Sequence, residues 1–199
     1  MTDKFQSLEM LKKKIEDNSK MSELFPEANN LVFGEGNPDA NILFIGEAPG
    51  KNEDLQARPF VGASGKILDN SLNQINLDRK DVYITNIVKY RPKNNRDPLD
   101  AEKELFLPFL ISQILIIKPK LLVTLGRHSM SCFIKDRTIN SLHGQVVDID
   151  FGIFGFDFLS KAKQKIFKLL PLFHPAATIY NRNLRQAWDD DFKRILNYN

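Results

Sequence analysis

Ile42-Leu43-Phe44-Ile45-Gly46-Glu47-Ala48-Pro49-Gly50 is the stretch that decides the fold. Four apolar residues, β-branched and aromatic among them, run into a glycine and a loop, the pattern of a short buried strand reaching its end. Residues 64–75 then place Ile67, Leu68, Leu72 and Ile75 at helical spacing, so a helix follows the loop. The unit recurs along the chain. Val82-Tyr83-Ile84-Thr85 leads into Asn86 and a loop holding Pro92, Asn94, Asn95 and Pro98, ahead of a predicted helix over residues 100–117. Leu121-Leu122-Val123-Thr124-Leu125 ends at Gly126, before a short helix near residues 129–134. A fourth strand over residues 166–173 delivers His174, and residues 184–196 close the chain as an amphipathic helix showing Ala187, Trp188, Phe192, Ile195 and Leu196 on one face. Strands alternating with helices imply the α/β class: a three-layer α/β/α sandwich on a central, mostly parallel four-stranded sheet, with residues 1–199 as one domain.

Two outer regions are less regular. Residues 4–18 carry Phe5, Leu8, Leu11 and Ile15 three and four apart, a helix whose Lys12-Lys13-Lys14 run faces solvent. Residues 138–165 alternate apolar positions with Gly144, Gly152 and Gly155, so a hairpin or irregular connection is expected, packed down by Phe151, Phe154, Phe156 and Phe158.

Composition narrows the function classes. With 28 basic and 25 acidic residues among 199, the formal net charge is +3, which permits nucleic-acid binding without demanding it. The longest apolar run, residues 105–117, is broken by Pro108, Ser112 and Gln113 and falls short of the roughly 20 residues of a membrane span, so no membrane partner is expected. The first residues lack a basic-then-apolar leader pattern, and a lone cysteine, Cys132, suits a reducing compartment. A cytoplasmic monomer is the expectation.

In a parallel α/β sheet, ligands bind beyond the carboxyl ends of the strands. There the chain offers a carboxylate at Glu47, an amide at Asn86, an imidazole at His174 and an aromatic ring at Phe60. The loop after Gly46 lacks the Lys-Ser/Thr of a phosphate loop and the glycine spacing of a dinucleotide fingerprint. A planar, hydrogen-bonding ring is a better match to such a set than a triphosphate. Each residue also has a plain structural role open to it: Glu47 as a helix cap or partner of Arg58, Asn86 as a turn residue, Phe60 as core, His174 as a loop histidine. His128 and His143 are read as surface or loop residues, because neither has a partner at metal-ligand spacing.

The Gly46–Gly50 segment continues into Glu53-Asp54 and Arg58-Pro59-Phe60-Val61-Gly62, and His174-Pro175-Ala176 is followed by Ile179-Tyr180-Asn181 and Leu184-Arg185. With Gly34-Glu35-Gly36-Asn37-Pro38, Thr85-Asn86-Ile87-Val88-Lys89 and Leu125-Gly126-Arg127, this pattern resembles the family-4 uracil-DNA glycosylases over roughly residues 5–197. The resemblance implies an enzyme of base excision repair that flips uracil out of DNA and hydrolyses its N-glycosidic bond, leaving an abasic site. It implies that Asn86 reads the Watson–Crick edge, that Phe60 stacks on the base and that Glu53 lies near the C5 edge. Gly46 and Ala48 would complete the base site. His174 would hydrogen-bond O2 of the departing uracil, and Glu47 would position or activate water. Ala48 stands where Gly-Gln-Asp-Pro-Tyr glycosylases have an aspartate, which leaves more of the barrier to leaving-group stabilisation. Ile179 and Tyr180 would wedge the duplex open, and Lys89, Arg91, Arg96, Arg182 and Arg185 would meet phosphates of uracil-containing DNA.

The same resemblance implies a four-cysteine iron–sulfur cluster, and here the chain departs from it. Its four ligand positions read Ser19, Ser22, Tyr90 and Phe106. No cofactor is therefore expected, and aromatic packing is expected to fill the vacated volume. Two rival readings stand: a non-catalytic DNA-binding descendant of the family, and an unrelated α/β protein that binds a free nucleobase.

Overall fold

A computed structural model describes residues 3–179 and 181–199. Among these residues the sheet has six strands in the order β1-β3-β2-β4-β6-β5: β1 (Glu35–Gly36), β2 (Ile42–Gly46), β3 (Tyr83–Asn86), β4 (Leu121–Leu125), β5 (Val147–Asp150) and β6 (Ile166–Leu172). The four expected strands, β3-β2-β4-β6, are mutually parallel. To these the structure adds an antiparallel strand at each edge, β1 on β3 and β5 on β6. β1, two residues long, was invisible in the sequence; β5 lies in the 138–165 region, where a hairpin or irregular connection was expected, and that region also forms a short helix at Ile139–Leu142 and 3-10 turns at Phe151–Phe154 and Asp157–Lys161.

Alternation along the central strands builds the layers. Leu43 and Ile45 point to one face, where they pack with Leu8, Leu11 and Ile15 of α1 (Asp3–Glu16) and with Phe106, Leu110, Ile114 and Ile117 of α5 (Asp100–Ile117). Ile42 and Phe44 point to the other, against Leu68 and Leu72 of α4 (Ala63–Gln74) and Trp188 and Phe192 of α8 (Arg182–Phe192). A strand buried on both faces reads as a continuous apolar run, which is why β2 and β4 were so legible. The closing helix is shorter than expected: a 3-10 turn takes over at Lys193–Tyr198, burying Ile195 and leaving Leu196 half exposed. Trp188 donates from Nε1 to Ser71 Oγ at 2.7 Å, tying α8 to α4 inside the core.

Short helices fill the connections between these: α2 (Ser19–Leu24), α3 (Lys51–Gln56), α6 (Arg127–Ser131) and α7 (Ile139–Leu142). Among the described residues, no helix is long and apolar enough to cross a membrane.

Candidate active site

β2 and β3 end side by side, with Gly46 paired to Asn86 in register. Gly46 is required there: a Cβ would lie 2.6 Å from the Phe60 ring and would overlap the Asn86 side-chain oxygen. The absent side chain lets ring and amide share one pocket. That pocket, of about 180 Å³, is lined by Glu47, Ala48, Gly50, Glu53, Phe60, Ser64, Asn86 and His174. Drug-sized ligands occupy roughly 300–1,000 Å³, so this volume suits a single ring. It adjoins a second cleft of about 130 Å³ that runs from Glu47 and His174 past Pro92, Asn95 and Asp97.

The structure thus brings together Glu47, Glu53, Phe60, Asn86 and His174, 127 residues of chain apart at the extremes. Asn86 is buried, and the loop beyond it is pinned across the sheet edge by Ile87 N to Gly46 O at 3.0 Å and Val88 N to Glu47 O at 3.1 Å. Phe60 is 6% accessible and forms one wall, its ring centroid 6.4 Å from that of His174. Glu53 serves the wall as well as lining the pocket: its Oε1 accepts the amides of Val61 at 2.9 Å and Gly62 at 2.7 Å.

His174 sits just past β6, where Ala176 N donates to its Nδ1 at 3.2 Å. That bond makes Nδ1 the acceptor and leaves Nε2 as the N–H donor of a neutral ring. Burial, and then the nearby His128, hold the His174 pKa below the ordinary histidine value. The imidazole is therefore neutral at neutral pH, a donor without a charge.

Glu47 has the opposite perturbation. Burial pushes its carboxyl up to about 7, with Asp97 adding to the rise and Lys103 and Arg127 opposing it. Its Oε1 is buried and, among the described residues, has no hydrogen-bond partner. His128 Nε2 lies 3.9 Å from that oxygen and 3.1 Å from Asp97 Oδ2, while Arg127 Nε approaches the same nitrogen at 3.0 Å. Burial, foremost, lowers the His128 pKa. Glu47, Asp97 and His128 are also, among the described residues, the one group of such side chains with ligand atoms within 4.8 Å of one another. Sequence reasoning missed this cluster, although His128 follows Gly126 at the end of β4 and the strand-end rule that singled out the other residues applied to it equally. His143, also read as a surface or loop residue, is half-buried at the end of α7; its Nδ1 lies 2.6 Å from Asp191 Oδ2, a structural tie to α8.

The expected DNA-facing residues divide. Arg182 and Ile179 are exposed, as a phosphate contact and a wedge would need; Tyr180 lies outside the described residues. Arg185 pairs with Asp189 at 3.1 Å, and Arg91 Nε donates to Asn95 Oδ1 at 2.6 Å. Arg96 is engaged by Glu102, donating to both carboxylate oxygens at 2.5 and 2.8 Å. Lys89 must be corrected: it is fully buried, donating to Asn86 O at 2.7 Å and to the Thr85 hydroxyl and Gln113 Oε1. It cannot reach DNA. It supports the strand end that carries Asn86.

The ligand positions of the family's iron–sulfur cluster do not fit that group. Tyr90 and Phe106 are buried rings, 6.2 Å apart and packed with Phe25 at 5.8 and 6.0 Å, while Ser19 begins α2 and Ser22 lies within it. Rings and hydroxyls offer no thiolate to iron. Cys132 lies elsewhere, just past the end of α6, its thiol pushed by burial up to about 11.

Fold and pocket define an α/β protein with a pocket of one-ring size at the carboxyl edge of a parallel sheet, between an aromatic wall, an amide and a neutral histidine. The model of the Uracil DNA glycosylase superfamily matches residues 33–197, and the chain belongs to that superfamily. It is 45% identical to a type-4 uracil-DNA glycosylase of Sulfurisphaera tokodaii over 95% of this chain and 83% of the relative. Similar proteins of the same description occur in Saccharolobus solfataricus, 42% identical over 83% of this chain and 74% of the relative, and in Archaeoglobus fulgidus, 39% identical over 87% and 84%.

Proposed function

We propose that this protein excises uracil from DNA by hydrolysing its N-glycosidic bond, and that it does so without an iron–sulfur cluster. The observation that carries this reading is the neutral, tautomer-fixed His174 facing Asn86 and Phe60 across a pocket of one-ring size. Uracil flipped from the helix stacks on Phe60, and the Asn86 amide accepts from N3–H and donates to O4. Cytosine presents the reverse pattern, and a mispaired buried amide costs about 1–3 kcal/mol. As the C1′–N1 bond breaks, negative charge spreads to O2, where the His174 Nε2–H stabilises it. A neutral donor suits this task, because it strengthens its bond to the developing anion without surrendering a proton. Glu47, once ionised, orients water toward C1′ and offsets the cationic sugar. Arg182 approaches phosphates, and Ile179 fills the space left in the duplex. Tyr90 and Phe106, with Phe25, do mechanically what the family's cluster would otherwise do in that lobe.

The test is a labelled oligonucleotide with one deoxyuridine, incubated with protein and then cleaved by alkali. Alkali-dependent scission at the uracil is expected. Losing one donor of this kind costs roughly 10²- to 10³-fold in kcat, which is the drop expected for His174→Ala. Intact DNA together with retained binding would instead favour the non-catalytic DNA-binding descendant.

A further inference from the structure

The segment Gly34-Glu35-Gly36 and the residue Arg79 have no part in the chemistry above, yet they converge on its aromatic wall. Phe60 has φ of +52°, a left-handed backbone that a residue with a Cβ adopts only when its surroundings impose it. The surroundings are specific. Arg79 donates to Phe60 O at 3.0 Å and to Pro59 O at 2.7 Å. The same guanidinium reaches Asp69 Oδ1 at 2.9 Å and Glu35 Oε1 through Nε at 3.0 Å, with a second donation to Glu35 from its far nitrogen. Arg58 completes the group by donating to Glu35 Oε2 at 2.7 Å. All three of Arg79's nitrogens, and so its whole donor fork, are committed. From the other side, Gly65 lets the Phe60 carbonyl lie against its Cα, where any Cβ would overlap that oxygen.

We infer that Arg79, held by Glu35 and Asp69, is a positioning residue that clamps the Pro59–Phe60 carbonyls and so fixes the Phe60 ring as the platform on which the flipped base stacks. The inference rests on the proposed reading of Phe60 as that platform. Its physical basis is geometry rather than ion pairing. Arg79 is only 21% exposed and binds two backbone carbonyls, each of which locates a neighbour of the strained φ. A surface ion pair alone would contribute little. A lysine could not replace it, since three donors from one point cannot span two carbonyls and two carboxylates on opposite sides.

The experiment measures excision by Arg79→Gln, Arg79→Lys, Phe60→Ala and the Arg79→Gln/Phe60→Ala double variant. It also measures their affinity for duplex carrying a tetrahydrofuran abasic analogue, which has no base to stack, and their melting temperatures. A misplaced group of about 1 Å can cost 10²-fold, so Arg79→Gln is expected to lower kcat/KM for uracil about 10- to 100-fold. Affinity for the abasic analogue should stay within about twofold, and in the Phe60→Ala background the Arg79 change should cost no more than about twofold further, the spread of independent sites. Arg79→Lys keeps the charge but loses part of the fork, so it should fold and show an intermediate loss; it carries the test if Arg79→Gln does not fold. Wild-type excision by the Arg79 variants, or an equal loss with and without the Phe60 ring, would overturn the clamp. If Phe60→Ala itself excises uracil normally, the stacking reading fails and takes the clamp with it; if Phe60→Ala is impaired while the Arg79 variants are not, the clamp alone fails.

Discussion

His174 and Glu47 face the same pocket, and burial shifts them in opposite directions from the pH at which each would otherwise change charge. For His174 burial favours the neutral form and a backbone amide selects the tautomer, so its donor is available across the neutral range. For Glu47 burial favours the protonated form up to about pH 7. If its carboxylate orients water, kcat/KM rises with pH through about 7, and a Glu47→Gln variant loses that rise along with much of its activity; a pH–rate profile of both proteins checks it. Stability gives an independent reading of the same group. A carboxyl whose folded pKa is raised favours the folded state in full below the ordinary carboxylate range, and that contribution is lost as pH rises through about 7. Glu47→Gln is therefore expected to be more stable than the parent at pH 8, by about 1 kcal/mol once its partial exposure to solvent is allowed for, with no gain near pH 4. Urea unfolding at the two pH values decides it. Glu47, Asn86 and His174 were legible in the sequence as candidates because each sits where a patterned strand gives way to loop residues, whereas Phe60, in the loop between α3 and α4, took its role from the family resemblance. Lys89 was not: it lies three residues past Asn86 in a loop-like word, and only its pairing with Gln113, 24 residues on, shows that it turns inward.

At the scale of elements, α5 joins the site to the lobe that would hold the family's cluster. Glu102 anchors its first turn, accepting from Leu99 N at 2.8 Å and from Arg96, so the basic loop before α5 is fastened to the helix start. One turn further on, Phe106 is wholly buried against Phe25 and Tyr90. Deleting a buried phenyl ring typically costs 3–5 kcal/mol, and Phe106→Ala is expected to destabilise the protein by about that amount. A chemical denaturation curve that moves by much less would show that the aromatic cluster is not what supports this lobe. The helix itself was legible over about residues 100–117, where α5 lies, because its apolar run is too short and too interrupted for a membrane span and reads as a buried helix. β1 was not, since a two-residue strand carries no period, and β5, in a region expected as a hairpin or irregular connection, is defined by the partner it pairs with.

Over the whole molecule, the slight excess of positive charge is distributed less freely than the sequence suggests. Arg96 and Arg185 already have carboxylate partners, whereas Arg182 is exposed at the start of α8, beside the His174 loop. Each phosphate neutralised contributes about −0.9 to the slope of log affinity against log salt on duplex DNA. Arg182→Ala is thus expected to make that slope shallower by about one. Arg96→Ala should leave the slope nearly unchanged and lower the melting temperature instead, because it strands the buried Glu102 carboxylate. Binding isotherms at several salt concentrations, with a thermal melt beside them, separate the two.

The sequence by itself determined the four parallel strands, the helices between them and the four side chains that meet at their ends. Strand alternation, helical spacing and the glycine and proline punctuation after each strand are local properties, readable within a dozen residues. Only the tertiary structure decided which cations face solvent, how the sheet is edged, that His128 and Asp97 stand beside Glu47, and that Glu35 grips Arg79 behind the Phe60 wall. Those outcomes depend on burial and on charge partners distant in the chain, 44 residues in the case of Glu35 and Arg79, and no window of sequence contains both members of such a pair in a recognisable pattern.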